Sequence, residues 1–181
     1  ATARGDGALA LGTQTKATSI RSTAIGHQAE ASGADSISIG TLSGASNPHS
    51  IAIGNKARAY GVDAIAFGSS ANATATNAMA MGLNARTTAS GSVAVGVNTE
   101  VTQINSVAMG ATAKTYGDSA ASLGVDVVSR GHSAVAVGAN ARALAQSAVS
   151  LGDSTYADAL SAVSVGVSSR ATAVRALAVG D

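Results

Sequence analysis

The segment Ser92-Val93-Ala94-Val95-Gly96 contains the pattern that decides the fold. Large aliphatic side chains alternate with a small one, and a period of two is typical of a β-strand with two different faces. The closing glycine recurs every 14 residues without insertion or deletion, so a strict repeat covers nearly the whole chain and predicts a solenoid. These repeat glycines are Gly12, Gly26, Gly40, Gly54, Gly68, Gly82, Gly96, Gly110, Gly124, Gly138, Gly152, Gly166 and Gly180.

Two positions before each repeat glycine carry large apolar residues in nearly every repeat. We call these two residues, one and three positions before the glycine, the outer pair; Thr23 and Ala121 are the exceptions. The residue between them is always alanine or serine. A coil made of two short strands has room inside only for small side chains, so we expect the outer pairs to point away from the coil.

A second alternation follows each repeat glycine. Small residues stand three and five positions after it, as Ala57 and Ala59 do, and turn-prone residues such as Gly33, Asn47 and Gly61 come next. Each coil is therefore expected to be strand, turn, strand, turn, with strands of about five residues. The predicted fold is all-β: a parallel β-roll solenoid of thirteen 14-residue coils stacked about 4.8 Å apart. The spacing of the β-branched residues does not form a helical stripe.

Composition excludes several classes of protein. Eleven basic and ten acidic residues are spread evenly, without the basic face typical of nucleic-acid binding. The chain has no cysteine, so disulfides and thiolate metal sites are excluded. No apolar run approaches the roughly 18–20 residues that a membrane-spanning helix needs.

The outer pairs predict an interface between identical chains. An apolar stripe of this extent is rarely left open on a soluble monomer, and cyclic symmetry would cover it without open ends. A trimer is the natural expectation, although the residues alone do not separate it from a dimer. The predicted interface residues are Ile25, Ile37, Ile39, Ile51, Ile53, Ile65, Phe67, Met79, Met81, Val93, Val95, Val107, Met109, Val135, Val137, Val149, Leu151, Val163 and Val165.

A row of cations is the one candidate ligand surface. Four residues after the repeat glycine, a basic residue recurs in every second coil, and these residues are expected about 9–10 Å apart. They could bind an acidic glycan or another polyanion. The alternation could instead keep like charges off adjacent rungs, and this second interpretation is favoured. The five residues are Arg58, Arg86, Lys114, Arg142 and Arg170.

The sequence gives no support for a catalytic, cofactor or metal site. His27, His49 and His132 occupy different positions of different coils, which predicts exposed turn residues that do not stack. No Gly-x-Ser-x-Gly elbow is present. The aspartates Asp35, Asp63, Asp118 and Asp153 are expected in no shared register that could form an oxygen cage for calcium.

The recurring units Ser92–Gly96 and Ser50–Gly54, at their spacing of 14, closely resemble the head repeats of trimeric autotransporter adhesins, the YadA-like family. The resemblance covers essentially the whole chain. It implies a left-handed β-roll wound as a homotrimer and exposed on a Gram-negative outer membrane, where it would attach to host cells or matrix proteins. We expect residues 1–181 to form a single head domain, a fragment without stalk or membrane anchor.

Two other function classes fit less well. Left-handed β-helix acyltransferases are built from hexapeptides in coils of about 18 residues, which a repeat of 14 does not match. Ice binding requires flat rows of threonine. Threonines do share one register, but Tyr60, Tyr116, Arg130, Leu144 and Asp158 interrupt it.

Overall fold

The computed structural model describes residues 1–180 and confirms the predicted fold class. This part of the chain is an all-β parallel solenoid of about thirteen coils, and it contains no helix. Asp181, the last residue of the predicted domain, lies outside the described residues. The chain divides into two compact units, the first spanning Ala1–Gly91 and the second beginning at Ser92.

In the first unit, the strands alternate along the chain between two parallel sheets. The odd-numbered strands pair in the order β1-β3-β5-β7-β9-β11-β13 and the even-numbered strands in the order β2-β4-β6-β8-β10-β12. Their bounds are β1 Thr2–Ala3, β2 Leu9–Leu11, β3 Lys16–Ala17, β4 Thr23–Ile25, β5 Glu30–Ala31, β6 Ile37–Ile39, β7 Gly44–Ala45, β8 Ile51–Ile53, β9 Arg58–Ala59, β10 Ile65–Phe67, β11 Asn72–Ala73, β12 Met79–Met81 and β13 Arg86–Thr87.

The second unit has the same organisation. Its even-numbered strands run in the order β14-β16-β18-β20-β22-β24-β26, and its odd-numbered strands run from β15 to β25 in the same manner. Their bounds are β14 Val93–Val95, β15 Glu100–Val101, β16 Val107–Met109, β17 Lys114–Thr115, β18 Ala121–Val125, β19 Val128–Ser129, β20 Val135–Ala139, β21 Arg142–Ala143, β22 Val149–Leu151, β23 Tyr156–Ala157, β24 Val163–Gly166, β25 Arg170–Ala171 and β26 Leu177–Gly180.

The strands are shorter than the sequence suggested. The odd-numbered strands have two residues, and most of the even-numbered strands have three, so the expected length of about five is wrong for most of them. Most coils contain two four-residue turns. In the coil that begins at Gly54, both are closed by backbone hydrogen bonds: Ala57 N donates to Gly54 O at 3.2 Å and Ala64 N to Gly61 O at 3.3 Å. These turns take up more than half of the 14-residue coil, which leaves little chain for the strands.

The third residue of each turn has a left-handed backbone conformation. Lys56 has a φ of 57° in the first turn of its coil, and Asp63, seven residues later, has a φ of 54° in the second. Of the two central residues of a turn, only the third has a positive φ, which is the signature of a type II turn. Asparagine, aspartate or serine fills many of these positions, but Arg21 and Leu42 adopt the same φ. The preference of asparagine, aspartate and serine for turns therefore does not identify all the positions with a positive φ from the sequence.

The coils stack in register, so each position of the repeat forms a row along its sheet. Ile37 lies beside Ile51 and Ile51 beside Ile65, while Ala52 lies beside Ala66. The same pairing joins Val93 to Val107 in the second unit. Parallel pairing of identical positions follows from the constant repeat length, because an insertion would shift every later row.

The interior of each coil is filled by small side chains, as predicted. The alanines between the outer pairs, such as Ala52 and Ala94, are fully buried, and so are Ala57 and Ala59 of the facing strand region. Where serine or threonine replaces alanine inside, its hydroxyl finds a partner in most cases. Ser38 Oγ and Ser43 Oγ lie 2.7 Å apart across the interior, which meets the requirement that buried polar groups be hydrogen-bonded.

The repeat glycine is required by both its conformation and its surroundings. Gly96 has a φ of +133°, and a Cβ built on it would lie 2.3 Å from the carbonyl oxygen of Gly110 in the next coil. Real Cβ atoms do not approach a backbone oxygen so closely. The strict recurrence of glycine therefore comes from coil stacking, as a close backbone approach would predict.

Candidate interaction surfaces

The outer pairs form an apolar face on the outside of the even-numbered strands. Ile51 and Ile53 are partly exposed, while Ala52 between them is completely buried. Phe67 is 49% exposed and Met109 is 45% exposed. Since each strand places alternate side chains on opposite faces, the outer pairs form two parallel rows within each unit. We call this surface the apolar face.

Every predicted interface residue lies on the apolar face, between β4 and β24. The structure brings these residues together in continuous rows within each unit, such as Ile39, Ile53, Phe67 and Met81. In the second unit, Ala121 places a smaller side chain in one of these rows, between Val107 and Val135. The assembly that would cover the apolar face stays a prediction.

The opposite outer surface, on the odd-numbered strands, is polar and uneven. Within the first unit, one row runs Lys16, Glu30, Gly44, Arg58, Asn72 and Arg86. In the second it runs Glu100, Lys114, Val128, Arg142, Tyr156 and Arg170. We call this surface the polar face.

The five predicted cations do lie on the polar face with one rung between neighbours inside each unit. Asn72 separates Arg58 from Arg86. In the second unit, Val128 separates Lys114 from Arg142, and Tyr156 separates Arg142 from Arg170. Ligand binding by this row stays a prediction.

Two of these cations already have partners within the chain. The Arg142 Nη2 atom lies 3.8 Å from Asp126 Oδ2, and the Arg170 guanidinium carbon stands 4.6 Å from the centre of the Tyr156 ring. Such cation–π contacts are weakly stabilising at exposed sites. Local partners on neighbouring rungs support the interpretation that the alternation separates like charges.

The polar face also holds a cavity of about 280 Å³ above Gly44. Glycine leaves a gap in the row there, and the ring of Tyr60 lies over it: a Cβ on Gly44 would meet the Tyr60 Cε1 atom at 3.3 Å. Glu30 and Arg58, on the rungs either side of Gly44, line the cavity. The repeat pattern gave no indication of this cavity, because it depends on one departure from the repeat.

The histidines are exposed residues of the turn regions, as expected. His27 and His132 lie at different corners of their coils, and His49 contacts Asp63, with its Nδ1 atom 2.9 Å from Oδ1. Residues 1–180 contain no group of three or more histidine, cysteine, aspartate or glutamate side chains that could hold a metal ion.

Two of the four aspartates do share a position in the repeat, although they are not on adjacent rungs. Asp35 and Asp63 both stand nine residues after a repeat glycine, two coils apart, with His49 at the same position in the coil between them. Arg21 precedes them in this row, and its Nε and Nη2 atoms donate to Asp35 Oδ1 and Oδ2 at 2.5 and 2.8 Å. The row therefore alternates basic and acidic groups, an arrangement for pairing side chains across rungs.

Hydrogen bonding to Arg21 lowers the pKa of Asp35, and this is the largest of the contributions acting on it. On the polar face, burial raises the pKa of Tyr116, and its hydroxyl donates a 2.8 Å hydrogen bond to Glu100 Oε2, which raises it further. Both effects arise from contacts between coils.

These features define a class of protein: a repeat solenoid with one apolar and one polar outer face, built to present surfaces. Between residues 1 and 180 there is no helix that is long and apolar enough to cross a membrane. The YadA head domain repeat matches the sequence in overlapping segments, at residues 3–29, 17–43, 31–57, 45–71, 59–85, 73–99, 102–125, 129–155 and 157–181. The chain therefore belongs to the YadA head repeat family, whose members are surface adhesin heads with a structural role. No curated protein matches it.

Proposed function

We propose that the chain is the adhesive head of a trimeric autotransporter and attaches a Gram-negative bacterium to host cells or to the extracellular matrix. Membership of the YadA head family supports the head role. The family also implies exposure at the cell surface, in association with the outer membrane, and a contribution to virulence. In this function the head binds its partners without catalysing a reaction.

The apolar face is the observation that carries this proposal. Its outer pairs are only partly covered by their own chain, and burying one such side chain contributes about 1.5–3 kcal/mol. Two further copies of the chain, related by a threefold axis, would each bring the same face to the centre. An assembly with cyclic symmetry is closed, so no copy of the interface is left uncovered. A homotrimer therefore buries the apolar face and leaves the polar face available to partners.

A charge placed on the apolar face tests the assembly. We expect Ile51→Lys to lower the mass measured in solution, because a lysine at this position would be buried without a partner in the trimer. Asn72→Lys is the matched control: it places the same side chain on the polar face and should leave the mass unchanged. Circular dichroism should show β-structure in both variants.

A binding screen tests the adhesive role. The purified head is presented to immobilised matrix proteins, to glycans and to cultured host cells, and retention is measured. We expect saturable binding that requires the assembled head, so that Asn72→Lys binds and Ile51→Lys does not. A trimeric head that binds none of these targets would contradict adhesion while leaving the assembly intact.

A further inference from the structure

The second turn of the first coil carries the sequence Arg4-Gly5-Asp6. Resting on the adhesive function proposed above, we propose that this turn binds host receptors that recognise Arg-Gly-Asp through a receptor-bound divalent cation. Asp6 would supply a carboxylate ligand to that cation, and the Arg4 guanidinium would pair with an acidic group of the receptor. The metal belongs to the receptor, and the chain supplies the two side chains and their spacing.

The backbone of this turn is held on both sides. Arg4 N donates to Ala17 O at 2.9 Å, and Ala8 N closes the turn by donating to Gly5 O at 3.0 Å. The carbonyl oxygen of Asp6 accepts a 2.8 Å hydrogen bond from Arg21 N. A loop fixed in this way loses little conformational freedom on binding, which favours affinity.

Both charged side chains are available to a partner. Arg4 and Asp6 are exposed, and no hydrogen bond or ion pair engages either side chain within residues 1–180. Arg21 interacts electrostatically with Asp6, but its guanidinium donates to both carboxylate oxygens of Asp35. Asp35 accounts for the main increase in the pKa of Arg21, and Asp6 adds only a smaller electrostatic contribution.

A close approach between coils favours glycine at this position of the motif, although the fold accepts larger residues at the same position of other coils, such as Asn47 and Gln103. A Cβ on Gly5 would lie 1.9 Å from Ser19 O in the next coil, and the equivalent Gly131 has the same relation, at 1.9 Å, to Ala145 O. Both glycines therefore hold the same close approach between coils. The receptor specificity must then come from the residues on either side of the glycine.

Other coils provide natural comparisons for the motif. Arg130-Gly131-His132 has the arginine without the aspartate, and Tyr116-Gly117-Asp118 has the aspartate without the arginine. Arg130 and His132 are exposed although strands pair with their coil on both sides. Stacking on both sides therefore does not by itself bury these two positions, although Tyr116 and Asp118 are half-buried there. Only the first coil combines the two charges.

The chemistry of the two side chains fits such a receptor. Carboxylate oxygens are the ligands that hard divalent cations prefer, and guanidinium groups pair with carboxylates through two parallel hydrogen bonds. Neither contact tolerates a change of length well, since the cation and the acidic group of the receptor have fixed positions. Aspartate and glutamate should therefore differ strongly at residue 6.

The test measures binding of the assembled head to a purified Arg-Gly-Asp-dependent integrin ectodomain in Mn²⁺. We expect Asp6→Glu to weaken binding by about 30-fold or more, a loss typical of a charged contact broken at a desolvated interface. EDTA and a soluble Gly-Arg-Gly-Asp-Ser peptide should each abolish binding. Asp118→Glu is the matched control and should bind like the unmodified head.

A gain-of-binding variant makes the test independent of folding losses. His132→Asp in the Asp6→Glu background rebuilds both charges around Gly131, and we expect it to recover cation-dependent binding. Failure to recover would contradict the claim that the turn and its two charges suffice. If Asp6→Glu binds the ectodomain as well as the unmodified head, the proposal is overturned. Host-cell adhesion that persists in that variant would still leave the general adhesive function standing.

Discussion

The two sheets of each coil have similar interiors and opposite exteriors. Val93 and Val95 on an even-numbered strand enclose a buried alanine and present branched side chains outward, whereas Arg58 on an odd-numbered strand precedes a buried alanine and presents a charge. In both sheets the inward alanines of the inner coils, such as Ala59 and Ala94, have no exposed surface. The comparison separates two roles: the inward rows determine the coil, and the outward rows determine what the coil can bind.

The largest effect should come from enlarging an inward residue. We expect Ala59→Leu to destabilise the chain at or above the upper end of the roughly 1–3 kcal/mol that overpacking usually costs. Ala59 has no exposed surface, and the interior is closed by backbone on neighbouring rungs. Denaturant unfolding measures the change. Arg58→Leu, one residue away on β9, is the outward control and should alter stability far less; equal losses would contradict the distinction between the two roles.

Adding a methyl group to a repeat glycine should have the next largest effect. Gly96→Ala introduces a Cβ close to the Gly110 carbonyl oxygen and places alanine at a φ of +133°, a strain that costs on the order of 1–3 kcal/mol. The thermal unfolding midpoint should fall clearly. At Gly44, on the polar face, the new methyl would meet only the exposed Tyr60 ring, so Gly44→Ala should leave the midpoint nearly unchanged. A similar fall in both variants would show that the stacking contact is not the cause.

Acid should weaken the row formed by Arg21, Asp35, His49 and Asp63. The pKa of Asp35 is lowered in the folded chain, so its contribution to stability is fully present above the ordinary value of 3.8 and is lost as the pH falls through the folded value. Arg21→Gln removes the main cause of the lowered pKa. The difference in unfolding midpoint between Arg21→Gln and the unmodified chain should therefore be present at pH 7 and vanish as the pH falls through the lowered pKa of Asp35. A difference that persists in acid would contradict the ion pair as its source.

The smallest effect is expected from the predicted cationic row. Replacing Arg58, Arg86, Lys114, Arg142 and Arg170 with glutamine should leave retention on heparin at low salt nearly unchanged, because the alternation with uncharged or acidic rungs serves to separate like charges. Retention is measured by salt elution. A marked loss would instead establish a polyanion site on the polar face.

The sequence was most informative wherever all repeats agree. Ala94 between Val93 and Val95 showed which side chains point inward, and the constant spacing determined the register, so the coil, its two sheets and both outer faces could be predicted. Those features follow from side-chain size and strand periodicity alone.

Features that depend on backbone conformation or on single departures from the repeat were missed. Arg21 and Leu42 adopt a positive φ that their side chains do not favour, because the turn is imposed by the neighbouring coils. The strand lengths were overestimated because the two turns take up more than half of the 14-residue coil. The contact of Tyr60 with Gly44 needs two rungs to be compared, and the shared register of Asp35 and Asp63 was overlooked although the spacing contains it.

The central claim is that the apolar face is covered by identical chains. Multi-angle light scattering of the purified chain tests it directly. The account predicts a single folded species with three times the 17.3 kDa mass of one chain. A stable species of 17.3 kDa that retains its β-structure would contradict it, because the outer pairs would then remain exposed to water.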